Sequence, residues 1–340
     1  MFLNQTTYST GTSPRSVAIV DVNSDNKPDI IVANWNSNTV GVLLNNGNGT
    51  FLTQTTYTTG TNPGSVAVVD VNSDKKPDII VANWNSNTVS VLVNNGSGTF
   101  LTQTTYATGS NPISVAVVDV NSDNKPDIIV ANTYSNTVGV LLNTGSGTFL
   151  SQITYTPGSH PYSVAVVDVN SDNKPDIIVA NEGSATIGVL LNNGNGTFLT
   201  QTTYATGSNP ISVAVVDVNS DNKPDIIVAN TYSNTTSVLL NAGSGTFLTQ
   251  TTYAIGSYPY SVAVVDVNND NKPDIIVANR NSNTISVLLN TGSGTFLTQT
   301  TYATGSNPIS VAVVDVNDDN KPDIIVANLG SSTVSVFLHC

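Results

Sequence analysis

Seven times in the chain, aspartate and asparagine side chains fall at alternate positions of a nine-residue segment. The first is Asp21-Val22-Asn23-Ser24-Asp25-Asn26-Lys27-Pro28-Asp29. With Asp21 as position 1, side-chain oxygens stand at 1, 3, 5 and 9, and Lys27 offers a main-chain carbonyl at 7. A loop that wraps a hard cation supplies oxygens in this alternation, and Ca²⁺ takes roughly six to eight of them at about 2.3–2.6 Å. Val22 at position 2 is expected to turn the other way, into a sheet. Pro28 stiffens the chain just before the last ligand. The chemistry expected of these residues is calcium binding, one ion per segment.

The expected position-1 ligands are Asp21, Asp70, Asp119, Asp168, Asp217, Asp266 and Asp315. Position 3 is Asn23, Asn72, Asn121, Asn170, Asn219, Asn268 and Asn317, and position 5 is Asp25, Asp74, Asp123, Asp172, Asp221, Asp270 and Asp319. The position-7 carbonyls belong to Lys27, Lys76, Lys125, Lys174, Lys223, Lys272 and Lys321. Position 9 is Asp29, Asp78, Asp127, Asp176, Asp225, Asp274 and Asp323. A hairpin turn needs only one Asp or Asn. Three carboxylates in one short loop repel each other unless a cation sits among them. All 22 aspartates lie in these loops, and Glu182 is the only other acid, so the net charge of −13 is a set of sites and not a solvated surface. The affinity expected is weak, on the order of 10⁻⁴–10⁻³ M, as suits calcium outside the cell.

These loops recur at a constant spacing of 49 residues, without insertion or deletion, so they must be positioned by seven equal units. Each unit reads as four strands. In the second they are Ser65–Asp70, Asp78–Asn83, Thr88–Val93 and, after the Gly-rich turn Asn94–Gly98, the alternating Phe100–Tyr106. Four short antiparallel strands at a period of about 40–50 residues mark a propeller blade. The last unit stops after its third strand, Thr333–Leu338, and the missing fourth stands at the other terminus as Phe2–Tyr8. The fold expected is all-β: one seven-bladed propeller domain over residues 1–340, its N-terminal strand closing the last blade.

The segments VDVNSDNKPDIIVAN and NNGSGTF resemble the FG-GAP/VCBS-type repeats of integrin-like and microbial propellers, across essentially the whole chain. The calcium loop of that family reads D-x-[DN]-x-[DN]-G-x-x-D between the first two strands of a blade. Position 6 departs from the pattern, being Asn in six loops and Lys75 in the second. Asn tolerates a left-handed backbone better than Lys does, so the second loop is expected to be the weakest. The Phe-Gly pair before the loop is absent. An EF-hand is excluded, because Val32 stands where its position-12 Glu would be and the flanks read as strands.

The aromatic residues that break the period, Phe337 aside, are Trp35, Trp84, Tyr134, Tyr162, Tyr232, Tyr258 and Tyr260. All are expected in connections on the face opposite the acidic loops, as are Arg15, Arg280, His160 and Glu182. Exposed Trp, Tyr and Arg gathered in one zone are what binding sites are made of. Those seven aromatics and Arg280 are therefore the candidate ligand-binding residues. Aromatic faces stack on sugar rings, and Asn and Ser can bond sugar hydroxyls. The resemblance implies a carbohydrate-binding, lectin-like module, with a protein-binding adhesion module or a structural repeat domain as alternatives.

Other classes fit poorly. The two histidines, His160 and His339, stand far apart in the repeat scheme, and the one cysteine, Cys340, is the last residue, so no intrachain disulfide forms. Glu182 and Asp318 are the only carboxylates outside ligand positions and belong on opposite faces, which leaves no acid pair for glycoside hydrolysis. No enzyme activity is expected. Ten basic residues are too few for a nucleic-acid partner, and no apolar run is long enough for membrane insertion. The expected protein is a monomer with a glycan or surface-protein ligand. MFLNQTTY has neither the basic nor the apolar region of a signal peptide, so an excised domain of an extracellular or cell-surface protein is the expectation.

Overall fold

The computed structural model describes residues 2–339. Among the described residues are seven four-stranded antiparallel sheets, one per repeat. In blade 1 the inner strand is Pro14–Val20, followed outwards by Asp29–Asn34, Thr39–Leu43 and Thr55–Thr58. The second strand, DIIVAN in every repeat, is wholly buried. A strand covered on both faces has no reason to alternate, and its apolar run is continuous. Its pleat sends Ile31 and Ala33 against Val66, Ile79 and Val81 of blade 2. Ile30 and Val32 face the other way, onto Ile325, Ala327 and Val334 of blade 7. The core is therefore seven seams between blades, and first and last blades share one like any other pair.

Two further contacts close the ring. Thr6–Ser9 pairs with Thr333–Phe337, with Thr6 opposite Val336 and Ser9 opposite Thr333, and Phe2 bridges to His339. On the inside, the Ser16 Oγ accepts the Val66 N–H at 3.2 Å, and this bond recurs blade to blade until Val17 N–H reaches Ser310 Oγ at 3.2 Å.

The outermost strand is shorter than its sequence pattern implies. In blade 2 it spans Thr104–Ala107 and not Phe100–Tyr106. The preceding residues form a separate two-stranded hairpin, Asn94–Gly96 with Thr99–Phe100. Its turn needs positive φ at Gly96 (98°) and Gly98 (70°), which glycine takes without strain. Phe100 leaves the sheet because it is buried in the seam, edge-on to Tyr57 of blade 1 at 5.3 Å. Among the described residues, no helix is long and apolar enough to cross a membrane.

Candidate functional site

The acidic loops join the first and second strands at one end of the barrel of blades. Each is a chain of side-chain-to-backbone turns. Asp21 Oδ1 accepts the N–H groups of Asn23 (3.1 Å), Ser24 (2.7 Å) and Asp25 (3.3 Å), while Oδ2 accepts that of Asn26 (2.7 Å). Asn23 Oδ1 accepts the Asp25 N–H, and Asp25 Oδ1 accepts the Lys27 N–H, both at 3.0 Å. The reversal requires left-handed backbone at positions 4 and 6, φ 64° at Ser24 and 62° at Asn26. Lys75 holds the same conformation at φ 67° and makes the same bond to Asp70, so the second loop follows the path of the other six despite its less tolerant residue.

Position 9 differs from the rest. Asp29 is fully buried, and its two oxygens accept the N–H groups of Val22 (3.0 Å) and Asn45 (2.8 Å). Asn45 in turn donates to Pro28 O and, across the seam, to Val316 O at 2.9 Å. Burial pushes the Asp29 carboxyl up to about 6, against the two N–H bonds, and the charges of Asp25 and Asp21 add to the rise. In blade 7, His339 stands where Asn45 does and supplies the N–H to Asp323.

The donor set is all oxygen, which fits Ca²⁺ and not a metal that prefers nitrogen or sulfur. The chain reverses at positions 4 and 6, as a loop that wraps a cation must. In this conformation, however, the carboxylates face the loop's own N–H groups. Among the described residues, no three His, Cys, Asp or Glu side chains gather closely enough to hold an ion. In five loops the position-5 carboxylate also meets the position-7 ammonium, from 3.3 Å in Lys223–Asp221 to 3.8 Å in Lys76–Asp74. These pairs are solvated and worth little, so they are a weak obstacle to a competing cation.

At the other end of the strands lies the mouth of the axial channel. Each inner strand starts at a proline, and its pairing shifts register between that proline and the serine two residues on, as from Pro14 to Ser16. A bulge of this kind re-aims the residue it leaves unpaired. Here it turns Arg15, Gly64, Ile113, Tyr162, Ile211, Tyr260 and Ile309 onto the axis, around a cavity of about 110 Å³. Tyr162, Tyr260 and Arg15 thus belong to inner strands, not to the connections expected from the sequence.

Arg15 Nη2 donates to the hydroxyls of Tyr162 and Tyr260 (2.8 Å to the latter), which also bond each other. Its guanidinium lies 4.3 Å from the Trp35 ring centre. From Trp35 the aromatics run to Trp84 (6.0 Å), Tyr134 (5.4 Å) and His160 (6.0 Å). On the other side Arg280 sits against Tyr260 (5.8 Å) and Tyr258 (5.7 Å), and Tyr258 touches Tyr232 (5.8 Å). All eight candidate ligand residues therefore form one connected belt. Only Tyr134 (63 %) and Tyr232 (64 %) are strongly exposed; the rest are partly covered, against the expectation of an open loop surface. Burial, with the nearby charges of Tyr260 and Glu182, holds the Tyr162 phenol well above its ordinary range despite the Arg15 charge. Glu182 accepts a bond from Asn209 Nδ2 at 2.8 Å. Sequence reasoning left Arg15 out of the ligand set, and the large residues recurring directly after the repeat's proline are the signal that finds it.

Comparison with known proteins agrees with this architecture. A search of the curated proteins finds no match. Among solved structures, the chain is similar to BBS1N in complex with ARL6DN, at 12 % identity, covering 99 % of this chain and 96 % of that one, with a TM-score of 0.70. It is similar to virginiamycin B lyase from Staphylococcus aureus at 13 % identity, full coverage of both chains and a TM-score of 0.70. An Agrocybe aegerita lectin that recognises non-reducing terminal N-acetylglucosamine matches at 21 % identity, covering 85 % of this chain and 80 % of that one, with a TM-score of 0.60. At these identities the likeness is one of fold. The profile of the FG-GAP-like repeat matches six overlapping stretches, 21–81, 70–130, 119–179, 168–228, 217–277 and 266–326, and by that match the chain belongs to the FG-GAP-like repeat family.

Proposed function

We propose that this propeller is a non-catalytic recognition module, stabilised by calcium in its acidic loops, that binds a glycan on the belt around the channel mouth. The observation that carries the reading is the belt itself. Seven aromatics and two arginines drawn from six blades meet in one connected surface, with Tyr134 and Tyr232 standing out as its exposed faces. Backbone strain supports it. His160 (φ 48°) and Tyr258 (φ 60°) hold left-handed backbone where the other repeats have Ser or Asn. A bulky ring there opposes stability by about 1–3 kcal/mol, and drift alone gives no reason to favour one.

In each loop the residues that would hold Ca²⁺ are those at positions 1, 3, 5 and 9 with the position-7 carbonyl, and the ion would neutralise carboxylates that now repel one another. The lectin among the similar folds supports the glycan reading. A protein ligand on the same face is the second reading, favoured by the similar propeller that is in complex with a protein. The lyase among the similar folds makes catalysis the third class. Against it, His160 lies at the mouth while His339 lies beside Asp323, and Glu182 is the mouth's only acid.

The test is a glycan array in millimolar calcium with a chelated control, followed by Tyr134→Ala with Tyr232→Ala. Trp35 and Trp84 are the poorer probes, because both pack against the core and their loss disturbs the fold. A coherent sugar set, lost in the tyrosine pair, supports the reading. A blank array from folded protein moves the assignment to a protein ligand.

A further inference from the structure

The chain has ten basic residues, and eight are lysines in or beside the acidic loops. The other two, Arg15 and Arg280, both reach Tyr260 at the opposite end of the channel. Neither meets a carboxylate among the described residues. Among the described residues, Arg15 is held by two phenol oxygens, the Trp35 face and the Tyr260 ring, all of them neutral groups. The Tyr162 phenol, raised well above its ordinary range, stays neutral and supplies no counter-charge. Arg280 Nε is buried with no hydrogen-bond partner. A guanidinium covered in this way without a counter-ion is unfavourable, and its fork of N–H donors matches an oxoanion.

The rest of the mouth has the same polarity. Below Arg15 runs the ring Ser16, Ser65, Ser114, Ser163, Ser212, Ser261 and Ser310. Each Oγ already accepts an N–H from the next blade, so each hydroxyl proton is left to donate. Glu182, whose charge reaches Tyr162, is the exception and opposes an anion here, softened only by the bond from Asn209 Nδ2. The aspartates begin beyond the far end of the seven-residue inner strand, about 20 Å away at 3.3 Å per residue. Over about two Debye lengths of physiological salt, their repulsion at the mouth is largely screened.

We infer that the channel mouth is an oxoanion site, in which Arg15 and Arg280 hold a carboxylate or sulfate group above the serine ring. The cavity of about 110 Å³ is lined by Arg15 and the serine ring, with Arg280 outside that lining against Tyr260; it has room for such a group, and the remainder of a larger ligand would rest on the aromatic belt. The inference shares its place with the proposed glycan site but stands on the arginines alone.

Trp35 and Trp84 are the only tryptophans, and Trp35 lies directly against Arg15, so intrinsic fluorescence reports on the site. The titrants are sodium sulfate, sodium glucuronate and neutral N-acetylglucosamine, at constant ionic strength in sodium chloride. The expected result is a saturable emission change with sulfate and glucuronate, weakened about tenfold or more in Arg280→Gln and lost in Arg15→Gln. Sulfate binding as tightly as glucuronate identifies a free inorganic anion; glucuronate binding about tenfold tighter identifies an anion carried on a saccharide. Circular dichroism checks folding, and Arg280→Gln, at the rim, keeps the test decisive if Arg15→Gln does not fold. No saturable response to either anion, or the same response in wild type and Arg280→Gln, overturns the inference. Neutral sugar that binds while neither anion does leaves the glycan reading standing without the anion site; sulfate that binds while the glycan array is blank leaves the anion site standing without the glycan reading.

Discussion

The two ends of this channel are built by the same strands and obey opposite rules. At the acidic end, the repeats are nearly interchangeable: the Asp21-type carboxylate gathers four N–H groups in six blades and three in blade 6, at distances that agree within about 0.1 Å. At the mouth, one bulged position carries Arg, Gly, Ile or Tyr according to the blade. Sameness at one end keeps the ring regular, since each Asn45-type side chain ties its loop to the neighbouring blade. Difference at the other end breaks the symmetry where several blades converge on one point. A ring of identical units can offer many weak sites around its rim but only one on its axis, and the axis is where the repeats have diverged in charge.

Predictions that separate the two ends run from global to local. Chelation of divalent cations should lower the melting temperature by about 10 °C or more, since all seven loops act together. An unchanged melt in chelator would show that the loops need no cation. Replacing one position-9 acid, as in Asp127→Ala, strips the acceptor from the buried N–H groups of Val120 and Asn143. The expected loss is about 2–4 kcal/mol by urea denaturation, with anion and glycan binding at the mouth retained. At that end, Tyr134→Ala with Tyr232→Ala should weaken ligand binding about tenfold while changing stability by less than about 0.5 kcal/mol. Comparable losses in both would mean the belt is structural.

The pH dependence of the mouth has a defined sign. The folded Tyr162 phenol lies above its unfolded value of about 10, so the folded state retains a proton that the unfolded chain releases. Stability should fall as pH rises from about 10 towards the folded value, and Tyr162→Phe should reduce that fall in alkaline melts. An identical slope in the variant would place the alkaline transition elsewhere. The smallest effect belongs to Lys75→Asn. It should stabilise by about 0.5–1 kcal/mol in urea, because Asn tolerates φ 67° better than Lys does. A neutral or negative change would mean that Lys75 gains in solvent what it loses in its backbone.

What could be read in the sequence followed from periodicity. The ring and the closure of the last blade agree with the structure, though the closing strand is Thr6–Ser9 and not Phe2–Tyr8; the second strand Asp78–Asn83 agrees residue for residue, because a strand buried on both faces leaves a continuous apolar run between Asx-rich punctuation. Strand ends were less legible. The inner strand begins at Pro63 rather than Ser65, since proline is compatible with a strand's first residue. The outer strand loses Phe100 to a seam that only the neighbouring blade defines. The mouth was legible as a set and not as a shape. Repeat alignment gathers Trp35, Trp84, Tyr134, Tyr162, Tyr232, Tyr258, Tyr260 and Arg280, but it cannot show that a register shift turns two of those tyrosines, with Arg15, onto the axis.

The pairing of Thr6–Ser9 with Thr333–Phe337 also bears on how the ring is assembled and how it can fail. In six blades the outer strand reaches its partner through a short hairpin of the same repeat, whereas blade 7 must recruit the opposite end of the chain. Loop-closure scaling makes that contact about 3 kcal/mol harder to form first than a local hairpin, so the chain would fold as an open arc and seal last. Until it seals, the edge at Thr333–Phe337 will accept the same TTYS strand from another copy as readily as its own. At high concentration during refolding, the arc is then a monomer for head-to-tail strand exchange, and dilution is what favours the closed ring.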